Sequence, residues 1–297
     1  MPNIKISYQA LFVLILFSIL CVFSELALAN SSLTDKRFIS YTDVGKGEPL
    51  VLIHAFPTDQ RLWEPQREVL KKNFRVITLD LWGFGKSSPV DGQAVMMTEY
   101  ADEVKQLLDQ LHIQKAIIGG ESMGGYIALA FLEKYPVNVS GLILSDTQSV
   151  ADSEESKIKR ESTAVDVLAH GANQLINGFL PKALSVDAND QTQQFLRNIL
   201  ESQSSNAIAS ALRGMALRED TTNILSSTQI PVLIITGDKD TLITPQQSQA
   251  MHRVAKQSAL IEIANAAHLS SLEKPNEWNQ AVTNFFINEG KDKSDGF

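Results

Sequence analysis

One serine in the 297-residue sequence stands in a setting suited to nucleophilic chemistry: Ser122, inside Gly120-Glu121-Ser122-Met123-Gly124. A serine hydroxyl attacks a carbonyl only when a base takes its proton and the base is itself oriented, so two further groups are needed. His268 is the best placed of five histidines, in Ala264-Asn-Ala-Ala-His268-Leu-Ser-Ser-Leu-Glu273, between the last apolar run and a helical pattern. The segment Gly237-Asp238-Lys239-Asp240-Thr-Leu-Ile-Thr-Pro245 offers two aspartates on one loop, either of which could orient an imidazole. His112 ends a helical pattern, where a cation suits the helix dipole. His170 and His252 fall inside helical stretches and read as surface residues, and His54 directly follows a strand.

These side chains are far apart in the chain, so the elements around them must bring them together. Lys115 to Gly119 reads as a short buried strand, and Gly125 to Tyr135 as a helix stopped by Pro136. Glycines at 120 and 124 let strand and helix meet at a sharp turn that lifts the Ser122 hydroxyl into the open. Phe38 to Val44 and Pro49 to Ile53 read as strands around the turn Gly45-Lys-Gly-Glu48, a hairpin-like opening. Further strands are expected at Arg75 to Asp80, Gly141 to Ser145, Pro231 to Thr236 and Ala259 to Ile263. A helix after Thr98 and Glu99 is marked by Val104, Leu107, Leu108 and Leu111. Continuous apolar strands separated by helices indicate a mostly parallel α/β sheet covered on both faces. The interval 148–223 is polar, has helical spacing and lacks strand runs, so it reads as an inserted helical cap on a core of 30–147 and 224–297. It leaves and re-enters the sheet at the carboxyl ends of strands, where ligands bind in open α/β sheets.

Composition narrows the possibilities. With 44% hydrophobic and 20% charged residues the chain can bury a large core. A net charge of -8 without a basic stripe argues against a nucleic-acid partner. Lys5, the uncharged run Ala10 to Phe23 and Ala27-Leu28-Ala29 form a signal-peptide pattern over 1–29 with cleavage after Ala29, which predicts an exported protein. The alternative is an N-terminal membrane anchor, although the run is shorter than a span requires. The single cysteine, Cys21, belongs to this segment, so the mature chain would hold no disulfide and no thiolate metal site. No His, Asp and Glu cluster has zinc-like spacing, and Asp80-Leu-Trp-Gly83-Phe-Gly85-Lys-Ser87 lacks the third glycine of a dinucleotide loop. Neither metal nor organic cofactor is expected.

The order Ser, Asp, His, the pattern around Ser122 and the D-x-x-G-x-G-x-S stretch from Asp80 together resemble the α/β-hydrolase fold family. The segment from Gly120 to Asp146 and the loop His54-Ala55-Phe56-Pro57 are most similar to its enol-lactonases, cofactor-free haloperoxidases and related esterases. The resemblance implies Ser122 as nucleophile, His268 as base and Asp240 as acid, from the family's G-x-x-D spacing, with Asp238 in reserve. It also implies an oxyanion hole from the backbone N–H groups of Phe56 and Met123. Ala55 stands where the family usually has glycine, which puts the loop's conformation in question, and His54 then reads as a brace for that loop. Serine at position 122 disfavours the dehalogenases and epoxide hydrolases of this fold, which carry aspartate there. The expected activity is hydrolysis of a small-molecule ester or lactone through an acyl-enzyme. Perhydrolysis or carbon–carbon bond hydrolysis by the same triad, and ligand binding without catalysis, are the alternatives.

Overall fold

The computed structural model describes residues 37–288. The expected signal segment and its cleavage site after Ala29, and the polar tail from Gly290, lie outside the described residues. In chain order the elements are β1 (Tyr41–Gly45), β2 (Glu48–Ile53), α1 (Glu64–Leu70), β3 (Phe74–Leu79), α2 (Met97–Gln110), β4 (Ala116–Glu121), α3 (Met123–Lys134) and β5 (Val139–Ser145). Then come α4 (Glu154–His170), α5 (Asn173–Ala183), α6 (Asp190–Glu201), α7 (Ser205–Ala216), α8 (Thr222–Ser227), β6 (Val232–Gly237), α9 (Pro245–Val254), β7 (Ser258–Ile263), α10 (Ser270–Glu273) and α11 (Pro275–Thr283).

The strands form one seven-stranded sheet in the order β1-β3-β2-β4-β5-β6-β7, parallel throughout except for β1. Side chains alternate between faces along a strand, and β2 is buried on both. Val51 and Ile53 pack into one core with Val104 and Leu107 of α2 and Ile127 and Phe131 of α3. Leu50 and Leu52 face the other, with Trp63, Leu70 and Trp278. A strand apolar on both faces is stable in the middle of a sheet, and this corrects the hairpin-like opening expected around Gly45. The chain does turn between β1 and β2, but β3 lies between them: Val51 pairs with Ile77 in parallel and Asp43 pairs with Ile77 antiparallel. The first strand also starts later than expected, at Tyr41, and Phe38 is exposed.

From β2 the chain moves outward to β3 and then crosses back, so β2 and β4 are neighbours whose following loops diverge. That is the switch point where open α/β sheets form a crevice at their carboxyl ends. Between β5 and β6 run the five helices α4 to α8 with no strand. The stretch from Asp80 acts as a brace: the Asp80 carboxylate accepts the Gln60 and Lys86 backbone N–H groups at 2.9 and 3.0 Å. Gly85 at φ +52 permits this fit, because a Cβ there would lie 2.3 Å from Asp80 Cγ.

Candidate active site

Ser122 occupies the single residue between β4 and α3, with φ 54 and ψ -114, a conformation costly for a residue bearing a Cβ. Two close approaches hold it there. A Cβ on Gly120 would sit 2.0 Å from the Gly124 carbonyl oxygen, and one on Gly124 would sit 2.1 Å from the Ile53 carbonyl oxygen. Helix α3 is buried from Met123 through Leu132, so the turn is anchored on a helix that cannot swing into solvent. The Ser122 backbone closes the arrangement: its N–H donates to Ser145 O at 2.9 Å, and its carbonyl accepts the Thr147 hydroxyl at 2.7 Å.

His268 lies on the loop after β7, with Nε2 2.8 Å from Ser122 Oγ and Nδ1 2.8 Å from Asp240 Oδ2. Asp240 comes from the loop after β6, and its other oxygen accepts the N–H groups of Leu242 and Ile243 at 2.8 and 3.0 Å. The carboxylate therefore has a fixed orientation and is fully shielded, whereas Asp238 is partly exposed and meets the Lys239 ammonium at 3.1 Å. The structure thus joins Ser122, His268 and Asp240 in one chain and leaves Asp238 outside it. Burial alone would lower the His268 pKa, but the Asp240 charge, its hydrogen bond and the more distant Asp146 outweigh it and leave the imidazole above its usual 6.5.

The loop after β2 brings Phe56 to the wall of the same cavity as Ser122 and His268. Met123 is the first residue of α3, so its N–H is one of the four at a helix start with no partner within the helix. Ala55 is fully buried and does not adopt a positive φ, so alanine fits where glycine is usual. His54 braces this loop from beneath. It is buried, its Nδ1 lies 3.0 Å from Ala55 O, and its Nε2 accepts the Leu81 N–H at 3.1 Å. Burial pulls its pKa below 6.5, which keeps the ring neutral. Of the remaining histidines, His170 pairs with Asp166 at 2.8 Å on an exposed turn of α4, and His252 bonds Ser258 at 2.8 Å.

Two carboxyl groups that sequence reasoning passed over lie behind these side chains. Glu121 accepts the Ser271 backbone N–H and hydroxyl, and Asp146 accepts the Gly237 N–H at 2.8 Å and the Ser270 hydroxyl. Burial pushes the Glu121 carboxyl up to about 7 even though Ser271 stabilises its charge. Asp146 is raised well above its usual value by burial and by the charges of Glu121 and Asp240. The available signal was a charged residue closing an apolar strand, at Glu121 of β4 and just past Ser145 of β5.

The cavity over Ser122 has a volume of about 510 Å³, a size suited to a small molecule. Its wall includes Phe179 and Met215 from the helical interval between β5 and β6, and Asp152 and Arg160.

A family model described as alpha/beta hydrolase fold matches residues 48–275. The AB hydrolase superfamily protein YisY of Bacillus subtilis is 30% identical over 257 residues, covering 82% of this chain and 93% of that protein. The 3-oxoadipate enol-lactonase 1 of Acinetobacter baylyi is 29% identical over 241 residues, covering 80% and 87%. Among solved structures, a malate-bound thermophilic esterase from Thermogutta terrifontis superposes with a TM-score of 0.82 at 34% identity, covering 86% of this chain and 94% of that one.

Proposed function

The chain belongs to the α/β-hydrolase fold family, and on that premise we propose that it is a serine hydrolase cleaving a small-molecule carboxylic ester or lactone. The observation that carries this reading is the chain of two 2.8 Å contacts from Ser122 Oγ through His268 to Asp240. Similarity to an esterase and an enol-lactonase supports ester or lactone chemistry.

In this reading His268 Nε2 takes the Ser122 proton as Oγ bonds to the substrate carbonyl carbon, and the carbonyl oxygen becomes an oxyanion. The Phe56 and Met123 N–H groups stabilise that charge, each worth about 3 kcal/mol as judged by deleting one such donor. Asp240 holds the imidazole and stabilises its protonated form. The carbon–oxygen bond to the alcohol then breaks, and His268 returns the proton to the departing oxygen. Water, deprotonated by His268, releases the acid from Ser122. Residues 148–223 act as the cap that shapes the substrate cavity, and the segment 1–29 directs export. The mature protein recovered outside the cytoplasm should then begin at Asn30.

The test is covalent labelling with a fluorophosphonate together with turnover of p-nitrophenyl esters. Labelling of wild type and loss of both label and turnover in Ser122→Ala is the expected result. Wild-type protein that neither labels nor turns over would mark the site as a binding pocket.

A further inference from the structure

A buried carboxylate in the wall of the cavity over Ser122 is shared by two guanidiniums, one in that wall and one behind it. Asp152, whose side chain is 4% exposed, is contacted by two guanidiniums: Arg218 Nη1 lies 2.5 Å from Oδ1, and Arg160 Nε donates to Oδ2. Two guanidiniums against one carboxylate leave this cluster with a net positive charge, of which Arg160 is the member that faces the cavity. Burial would raise the Asp152 pKa, but both arginines hold it below its usual value, so this carboxylate stays ionised at neutral pH.

The two arginines differ in what they have left to offer. Arg218 is itself buried, donates to the carbonyls of Met215 and Val150 at 3.2 and 2.8 Å, and stacks 4.1 Å over the Tyr126 ring. It satisfies Asp152 and is itself satisfied. Arg160 is more exposed at 23% and lines the cavity; besides Nε, its Nη2 reaches Asp152 Oδ1 at 3.5 Å and its Nη1 reaches Met215 Sδ, a weak acceptor, at 3.5 Å, which leaves one N–H on each Nη. A guanidinium on a cavity wall with one N–H left on each Nη matches a planar carboxylate, which accepts two parallel hydrogen bonds. Ser153 and Ser156 of the same wall add hydroxyls. The opposing charges nearby do not cancel this field: Asp240 is shielded behind His268, and Glu154, in the turn after Ser153, is exposed and pairs with Lys157 at 2.7 Å.

We infer that the substrate is an ester or lactone bearing a carboxylate, and that Arg160 holds that carboxylate while Ser122 attacks the carbonyl. This rests on the serine-hydrolase reading above and adds the substrate class to it.

The test compares monomethyl esters of succinate, glutarate and adipate with methyl esters of the unsubstituted acids of equal chain length. At least one carboxylate ester should be favoured in kcat/KM by tenfold or more, and R160Q should erase that preference. Arg218 still pairs Asp152 in R160Q, which keeps the variant folded; R160K, with the charge but not the fork, should fall between. Equal or better turnover of the neutral esters, or a preference unchanged by R160Q, overturns the inference and leaves the serine-hydrolase reading standing. If wild type hydrolyses neither series, binding decides. Calorimetric titration of Ser122→Ala with the monomethyl esters should show saturation that weakens at least tenfold on adding R160Q, and no saturation overturns the inference. Fluorophosphonate labelling of Ser122 judges the serine-hydrolase reading separately.

Discussion

Glu121, one residue ahead of Ser122, accepts the backbone N–H of Ser271 at 3.2 Å and the Ser271 hydroxyl, three residues beyond His268. The strand end that presents the serine is thereby tied to the loop that presents the histidine. Asp146 makes the matching tie from just past β5, to Ser270 at the start of α10, directly after the histidine loop, and to Gly237 ahead of Asp240. The relative placement of the three side chains is set by two buried carboxyl groups as much as by the loops themselves.

This tie has a measurable pH signature. The Glu121 pKa is raised from 4.5 to about 7 on folding, so between those values the folded chain holds a proton that the unfolded chain has released. Stability from this group is full below pH 4.5 and is lost as pH rises through 7, at about 1.4 kcal/mol per pH unit across the window. Glu121→Gln should therefore gain melting temperature relative to wild type as pH rises from 5 to 8. A constant difference across that range would refute the buried-proton account. Glu121→Ala leaves the Ser271 donors unpaired and should cost about 1–3 kcal/mol or more at pH 5, a cost that shrinks as pH rises because the titrating group is gone.

His268 acts as a base only when neutral, and its pKa lies above 6.5. The acid limb of kcat/KM should therefore fall above pH 6.5, and Asp240→Asn should move it downward by removing the charge that raises it. The same change should lower kcat/KM by about a thousandfold or more, because a fixed carboxylate sets the tautomer and stabilises the imidazolium. Asp238→Asn, on a partly exposed side chain paired with Lys239, should change it by less than about threefold. Equal losses in the two variants would move the orienting role off Asp240.

His54 carries a separate expectation, since its ring is neutral in the fold and holds the Leu81 N–H. Its folded pKa is depressed below 6.5, so the unfolded chain takes up a proton first as the medium is acidified. The contribution is present above pH 6.5 and is lost as pH falls below it. His54→Phe, similar in shape but without the acceptor, should cost about 1–3 kcal/mol at pH 8 and should flatten this part of the stability profile between pH 7 and 5. Urea denaturation at pH 8, 7 and 5 measures both effects.

Much of this arrangement was legible in the sequence because its signals are local. The apolar runs of β2, β4, β5 and β6, the glycines at 120 and 124 and the placement of His268 after the last run each declare themselves within ten residues or so of chain. What was not legible depends on pairing across the chain. The position of β3 between β1 and β2 follows from the need of β2 for two neighbours, which no turn sequence reports. Residue type does not separate Asp240 from Asp238; the family spacing favours Asp240, and only the fold shows that the loop's N–H groups at 242 and 243 close on it. The roles of Glu121 and Asp146 depend on Ser271 and Ser270, more than a hundred residues away in the chain.

Gly124 tests whether the tight turn positions more than the serine. Its Cα faces the end of β2, and an added Cβ would lie 2.1 Å from the Ile53 carbonyl oxygen and 3.0 Å from that of His54. Both obstacles are backbone, so the collision cannot be relieved by a rotamer change. Relief requires α3 to move off the loop that carries Phe56, which widens the separation between the Met123 and Phe56 N–H groups. Gly124→Ala should therefore cost about 1–3 kcal/mol of stability from overpacking. It should also lower kcat by about a hundredfold, the scale of losing one oxyanion donor. Substrate KM should move less than kcat, because Arg160, Phe179 and Met215 of the cavity wall lie on other elements and only Tyr126 of the wall lies farther along α3. Steady-state kinetics on the purified variant, at a temperature where its melting curve shows full folding, separates the two effects. A kcat equal to wild type would mean that the hole is set by the Phe56 loop alone, independent of how closely the helix approaches it.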